Sequence, residues 1–212
     1  MKMRFRSLLL VTIGFISINS QAQTVKVDSS NRIRGGKQLF LDVHRLGPGK
    51  VKYDAVAGAH TKDLAVQAKY GVDFTKYWVD EQNGMIYCLA VANDSSDLRK
   101  THAEAHGLLP EHIYKVTDGI AAPYLKGKKD LFLDIHELGA GHVSASDVAA
   151  AHQKDLAFQK KHGVNFINYW LNEKEGVIIC LSQAKDSSSI IKTHKEAHGL
   201  VPTKILKVKE GE

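Results

Sequence analysis

The chain carries one folding unit written twice. A shift of 92 residues lays Leu39–Val116 on Leu131–Val208 without a gap, and 45 of the 78 aligned positions are identical. A unit of about 80 residues is marginal as an independent core, so each half is expected to gain stability by packing against the other. More than core is preserved. Eight of the 11 histidines form matched pairs: His44 with His136, His60 with His152, His102 with His194, and His106 with His198. The cysteines Cys88 and Cys180 and the tryptophans Trp78 and Trp170 also match. Packing needs apolar volume rather than four imidazoles per unit, so the histidines point to a function.

Each copy reads in the order βαββαβ. In the first, Leu39–His44 is a short strand with Leu39, Leu41 and Val43 on one face and Phe40, Asp42 and His44 on the other. Gly47-Pro48-Gly49 breaks it, and a helix is expected from Asp54 to Tyr70, stopped by Gly71. Phe74–Asp80 and Met85–Val91 are strands joined across Asn83-Gly84, a hairpin signal. Asp94 caps a second helix expected to run through His106, and Ile113–Val116 forms the last strand. This order predicts an α+β fold of two tandem ferredoxin-like repeats, residues 38–117 and 130–210, joined by a linker over 118–129. Helices cover only one sheet face in this plan, so the repeats are expected to pack as a pseudo-two-fold pair through their open sheet faces.

The N-terminal segment is read apart from the fold. Lys2, Arg4 and Arg6 precede an apolar run, Leu8–Ile18, and Ser20-Gln21-Ala22 makes a small-x-small site. This predicts a signal peptide over residues 1–22 and a periplasmic or secreted protein, with a flexible polar arm over 23–37. Removing three basic and no acidic residues lowers the formal charge from +6 to +3. The mature surface is then only mildly basic, and no basic stripe with interleaved aromatics argues for nucleic acid. No later run is long enough to insert stably in a membrane. A monomer with an internal pseudo-dimer is expected.

Among the candidate ligands, His102 and His106 stand four apart near the end of the second helix, as do His194 and His198, so each pair can address one ion. A helix end suggests a solvent-facing site whose truncation costs little stability. His60 lies on the line Val56–His60–Leu64, and His152 on Val148–His152–Leu156, each expected to be buried. Asp63 and Asp155, one turn on, could partner these two histidines as core hydrogen-bond acceptors or orient them as ligands. His44 and His136 share a strand face with Asp42 and Asp134, either under the helices or between the repeats. Cys88 and Cys180 sit inside apolar runs, as buried thiols, ligands or a disulfide between repeats. Tyr77-Trp78 and Tyr169-Trp170 read as packing residues. No Gly-x-Ser-x-Gly, Walker or dinucleotide motif is present.

The segments Phe40-Leu41-Asp42-Val43-His44, Ala59-His60 through Val72, Tyr77-Trp78-Val79-Asp80-Glu81, Tyr87-Cys88-Leu89 and Thr101-His102 through Leu108 resemble a family of small bacterial nickel-binding proteins, formerly a domain of unknown function. The match runs over nearly the whole of each repeat. The resemblance implies a ferredoxin-like fold, usually homodimeric, and histidine-dominated binding of nickel or a similar divalent ion. It implies metal roles for His44, His60, His102 and His106 and for His136, His152, His194 and His198. The chain departs from the typical member as a tandem fusion with an export signal. Imidazole suits nickel, zinc and copper alike. An exported, non-catalytic metal-binding protein is therefore expected. The alternatives are a small-molecule enzyme of the dimeric α/β-barrel type using an Asp-His pair, and an interaction module whose histidines sense pH.

Overall fold

A computed structural model describes residues 36–119, 121–127 and 129–212. The signal peptide and the flexible arm expected from the sequence, up to residue 35, lie outside the described residues. Repeat 1 comprises β1 (Gln38–Arg45), α1 (Tyr53–Val66), β2 (Asp73–Asp80), β3 (Met85–Ala92), α2 (Ser95–Ala105) and β4 (His112–Asp118). Repeat 2 comprises β5 (Asp130–Glu137), α3 (Ala145–His162), β6 (Asn165–Asn172), β7 (Val177–Ala184), α4 (Ser187–Ala197) and β8 (Lys204–Gly211). Both follow the expected βαββαβ order, and among the described residues no helix is long and apolar enough to cross a membrane.

The two sheets close on each other. Strand order around the barrel is β1-β3-β2-β8-β5-β7-β6-β4, with β4 returning to β1. Every sheet edge is therefore paired, which removes the unpaired backbone that an open edge presents. One seam pairs Tyr77 with Gly211, Trp78 with Glu210 and Val79 with Lys209. The other pairs Thr117 with Leu171 and Asp118 with Trp170. The connector is held along repeat 2: the Gly119 and Ala122 N–H groups donate to the Tyr169 and Ile167 carbonyls.

Alternation along the strands assigns two cores. Leu39, Leu41 and Val43 point into the barrel, where they meet Leu133, Ile135, Ile179 and Leu206 from repeat 2. Trp78 and Trp170 lie there too, ring centroids 4.9 Å apart. The opposite face of β1 sends Phe40 beneath the helices, with Phe74, Ile86, Cys88 and Leu98. Period two therefore carries Asp42 and His44 to the helix-covered face, not the interface between repeats.

Two local departures matter for the site. The first helix stops at Val66, and Gln67–Tyr70 tightens into a 3-10 turn that ends at Gly71, φ 66°. In that turn the Gln67 side-chain oxygen accepts from the Phe74 N–H, which ties the helix end to β2. The second helix stops at Ala105, one residue before His106, which takes φ −153°. Gly84 has a positive φ, and a Cβ there would lie 1.8 Å from the Gly47 carbonyl oxygen. Asn83-Gly84 thus turns the hairpin and lets the β1–α1 loop press against it, with Leu46 N–H donating to the Gly84 carbonyl.

Candidate metal centre

Each repeat gathers its duplicated polar groups between the helices and the outer face of the sheet. In repeat 1, α2 supplies His102, its C-cap supplies His106, α1 supplies Asp63, and β1 supplies Asp42 and His44. The His102 ring sits at the centre. Its Nδ1 lies 2.9 Å from Asp63 Oδ1 and 3.2 Å from His106 Nε2, while its Nε2 lies 3.2 Å from Asp42 Oδ2. His106 Nε2 is also 3.2 Å from Asp63 Oδ2. Repeat 2 reproduces the arrangement. His194 Nδ1 is 3.0 Å from Asp155 Oδ1 and 3.2 Å from His198 Nε2, and its Nε2 is 3.2 Å from Asp134 Oδ1.

The electrostatics follow from burial. Asp42 is 0% and His102 1% exposed, so each charge needs a partner. Burial alone would lower the His102 pKa, but its contacts with Asp42 and Asp63 outweigh that and lift it to about 9. Burial likewise opposes ionisation of Asp42, yet His102 and His44 hold its pKa down, to about 2. His194 is lifted to about 9 in the same way, and Asp134 is lowered. The metal-free centre is thus an imidazolium held between two carboxylates. His60 differs: burial pushes its pKa down, against the pull of Asp63.

Asp63, His102 and His106 present three donor atoms within hydrogen-bond distance of one another, as do Asp155, His194 and His198. Donors at about 2.0–2.1 Å from one cation are separated by roughly 2.9 Å in octahedral and 3.3 Å in tetrahedral geometry. The observed 2.9–3.2 Å fits that range. Two imidazoles and one carboxylate suit a divalent transition metal and leave coordination positions open. With a cation on Nδ1, His102 keeps its Nε2–H for Asp42, the arrangement in which a carboxylate fixes a ligand's tautomer and raises its basicity. His106 has to change tautomer. Its Nδ1 accepts from the Leu108 N–H at 3.1 Å, which places the proton on Nε2, where the cation would bind. That bond must be given up, at a cost of about 1 kcal/mol, at a turn where water can replace the acceptor.

Several expectations from the sequence do not hold. His102 is no solvent-facing helix-end residue: Phe74 packs at 5.1 Å from its ring centroid, and only His106 reaches toward solvent. Asp63 addresses His102 and His106 rather than His60, because α1 turns this residue toward α2. Leu64 is 40% exposed, so the apolar line through His60 ends at His60 itself, whose ring lies 4.7 Å from that of Tyr77. His152 is placed alike, 4.9 Å from Tyr169.

The predicted ligands therefore fall into three places. His102 and His106 meet with Asp63. His44 sits against the His102 ring, centroids 5.0 Å apart, with Nε2 3.1 Å from Asp42 Oδ1 and Cys88 nearby, and His136, 3.4 Å from Asp134, forms a second donor group with Asp134 and His194. His60 and His152 join neither cluster but border the cavities beside them. Nδ1 of both His44 and His136 is buried without a hydrogen-bond partner among the described residues. Cys88 and Cys180 are free and buried, and burial pushes both thiols well above their ordinary pKa, which disfavours the thiolate a metal needs.

The profile of the family described as "Nickel responsive protein SCO4226-like" matches residues 40–116 and again 132–208, both histidine clusters included. The chain belongs to the SCO4226-like family. Among solved structures, SCO4226 from Streptomyces coelicolor A3(2) is 35% identical over 37% of this chain and 94% of its own, with a TM-score of 0.35. The family profile thus matches once in each repeat. A point mutant of chlorite dismutase from Candidatus Nitrospira defluvii is 8% identical, covering 86% of this chain and 94% of its own at a TM-score of 0.45. An anthrone oxidase-like protein is 11% identical, covering 84% and 94% at 0.46. No curated protein sequence matches the chain. Within the SCO4226-like frame, the carboxylates Asp42, Asp63, Asp134 and Asp155 are the residues that a search for histidines alone misses. Their signal was available, since all four are identical between the copies.

Proposed function

We propose that the protein is an exported, non-catalytic divalent-metal-binding protein with one cation site per repeat. The sites are Asp63–His102–His106 and Asp155–His194–His198, with Asp42 and Asp134 orienting the central histidines. The observation that carries this reading is the pair of three-donor clusters, reproduced in both halves with matching separations. The family description favours nickel, while the donor set suits zinc and copper as well. Export rests on the basic, apolar and small-x-small pattern of residues 1–22.

Calorimetric titration of the mature, untagged protein after chelator treatment tests the reading. Two nickel ions per chain are expected, with proton release, because an imidazolium must deprotonate before it can ligate. Absence of binding at neutral pH for nickel, zinc and copper alike would remove it. The imidazolium held between Asp42 and Asp63 beside a cavity favours a second reading, acid–base chemistry on a small molecule. That reading predicts no dependence on metal.

A further inference from the structure

The two centres share their ligand geometry but not their surroundings. Beside His102, repeat 1 has a half-open cavity of about 120 Å3; the matching one in repeat 2, lined by Asp155 and His198, has about 30 Å3. The deep walls correspond residue for residue: His44 and His136, His60 and His152, Tyr77 and Tyr169, Cys88 and Cys180. The differences lie at the mouth. Lys50, Lys52 and Ala55 border the cavity in repeat 1, where repeat 2 has His142, Ser144 and Asp147. Ser144 and Asp147 close a capping box at the start of α3, whereas Lys52 makes no side-chain cap on α1.

We infer that the cavity of repeat 1, and not that of repeat 2, admits a short-chain monocarboxylate that meets the cation held by Asp63, His102 and His106. The inference rests on the metal-binding reading above. Size sets the first limit. An engineered cavity of roughly 150 Å3 takes benzene, so about 120 Å3 accepts a molecule of a few heavy atoms, while about 30 Å3 holds little more than water. Polarity sets the second. The cavity wall between the donors and the mouth is apolar, with Val51, Val56, Ala59 and Ile86, which suits a short alkyl body.

Charge sets the third limit. A dication offsets Asp42 and Asp63, leaving the two lysines of the mouth to favour an anion; in repeat 2 the same positions carry one carboxylate and no lysine. Without the cation, the His102 imidazolium offsets only one of the two buried carboxylates, and the remaining negative charge disfavours an anion. Three protein donors leave coordination positions for an exogenous oxygen. His44, whose buried Nδ1 has no hydrogen-bond partner among the described residues, lines the cavity and offers a further polar group.

The test uses the mature full-length protein loaded with cobalt or nickel and titrated with acetate, propanoate and benzoate, read by ligand-field absorption. Propanoate should perturb half of the bound metal, with one carboxylate per chain, and benzoate should leave the spectrum unchanged. The metal-free protein should bind none. Exchanging the mouth for that of repeat 2, Lys50→His with Lys52→Ser and Ala55→Asp, should weaken propanoate at least tenfold and keep two metals per chain. Two metals bound with no carboxylate response, or an equal response at both centres, would overturn the inference alone. Failure to bind metal would overturn it together with the reading beneath it.

Discussion

Asp42 lies against the Nε2 side of His102, 3.2 Å away, while the opposite ring nitrogen faces Asp63 at 2.9 Å. The two carboxylates therefore have different tasks once a cation replaces the shared proton on Nδ1. Asp63 is positioned to ligate, and Asp42 to hold the ring. Asp42→Asn should consequently keep the stoichiometry at two nickel ions per chain and weaken the repeat 1 site by about 10–100-fold. Asp63→Asn should remove a donor and abolish that site. Competition with a chromophoric chelator separates the two outcomes; equal losses would show that Asp42 is itself a ligand.

The internal copy serves as a control for the histidines. Changing His102 and His106 to Ala should leave one ion per chain, held by Asp155, His194 and His198. The metal-free double variant should also lose on the order of 2–4 kcal/mol, because it empties a buried site and strands Asp42 and Asp63 without their cation. Denaturant unfolding in chelator checks the second number. Unchanged stability would mean that the imidazolium between the carboxylates contributes nothing.

Protonation of His102 gives a pH signature. Its folded pKa, about 9, lies above the ordinary value of about 6.5, so its contribution is complete below pH 6.5 and lost as pH rises through 9. His60 and His152 act oppositely. Their lowered pKa values give stability that is present above the ordinary histidine pKa and lost as pH falls below it. The total curve mixes the two, so the difference between the parent and His102→Gln is the informative quantity. In the metal-free protein that difference should shrink by about 1–3 kcal/mol between pH 6 and pH 10. A difference independent of pH would mean that His102 is neutral throughout.

Much of this architecture was legible in the sequence because two periodicities agree. The alternation of Leu39, Leu41 and Val43 with Phe40, Asp42 and His44 fixes which side of β1 meets which layer. The 92-residue repeat supplies the partner for the open sheet face. Closure of the barrel was not legible, since β2–β8 and β4–β6 pairing joins residues separated by more than 50 positions and has no local signal. For the site, spacing brought His102 and His106 together, but burial misled. The polar α2 sequence looks solvated, yet His102 turns beneath it onto Phe74 and Asp42, a tertiary contact that overrides the helix-end pattern. Sequence distance offers His60 as a possible partner for Asp63, because it favours local pairs; in space α1 delivers Asp63 to His102 and His106.

The barrel interior ties the two repeats into one folding unit. Leu41, Tyr87 and Trp78 of repeat 1 face Leu133, Ile179 and Trp170 of repeat 2 across that shared space. A chain that closes its own barrel has satisfied both sheet edges and both open faces, so the mature protein should be a monomer by sedimentation and unfold in a single transition. Repeat 1 produced alone, residues 36–119, keeps its helix-covered core but exposes the interior face and two strand edges, β2 and β4. It should therefore dimerise through those edges, or lose cooperative unfolding at concentrations too low for association. Its metal ligands all lie within the repeat, so the dimer should bind one nickel per chain. A monomeric repeat that unfolds cooperatively would show that the helix-side core suffices, and that the barrel joins two independently stable units.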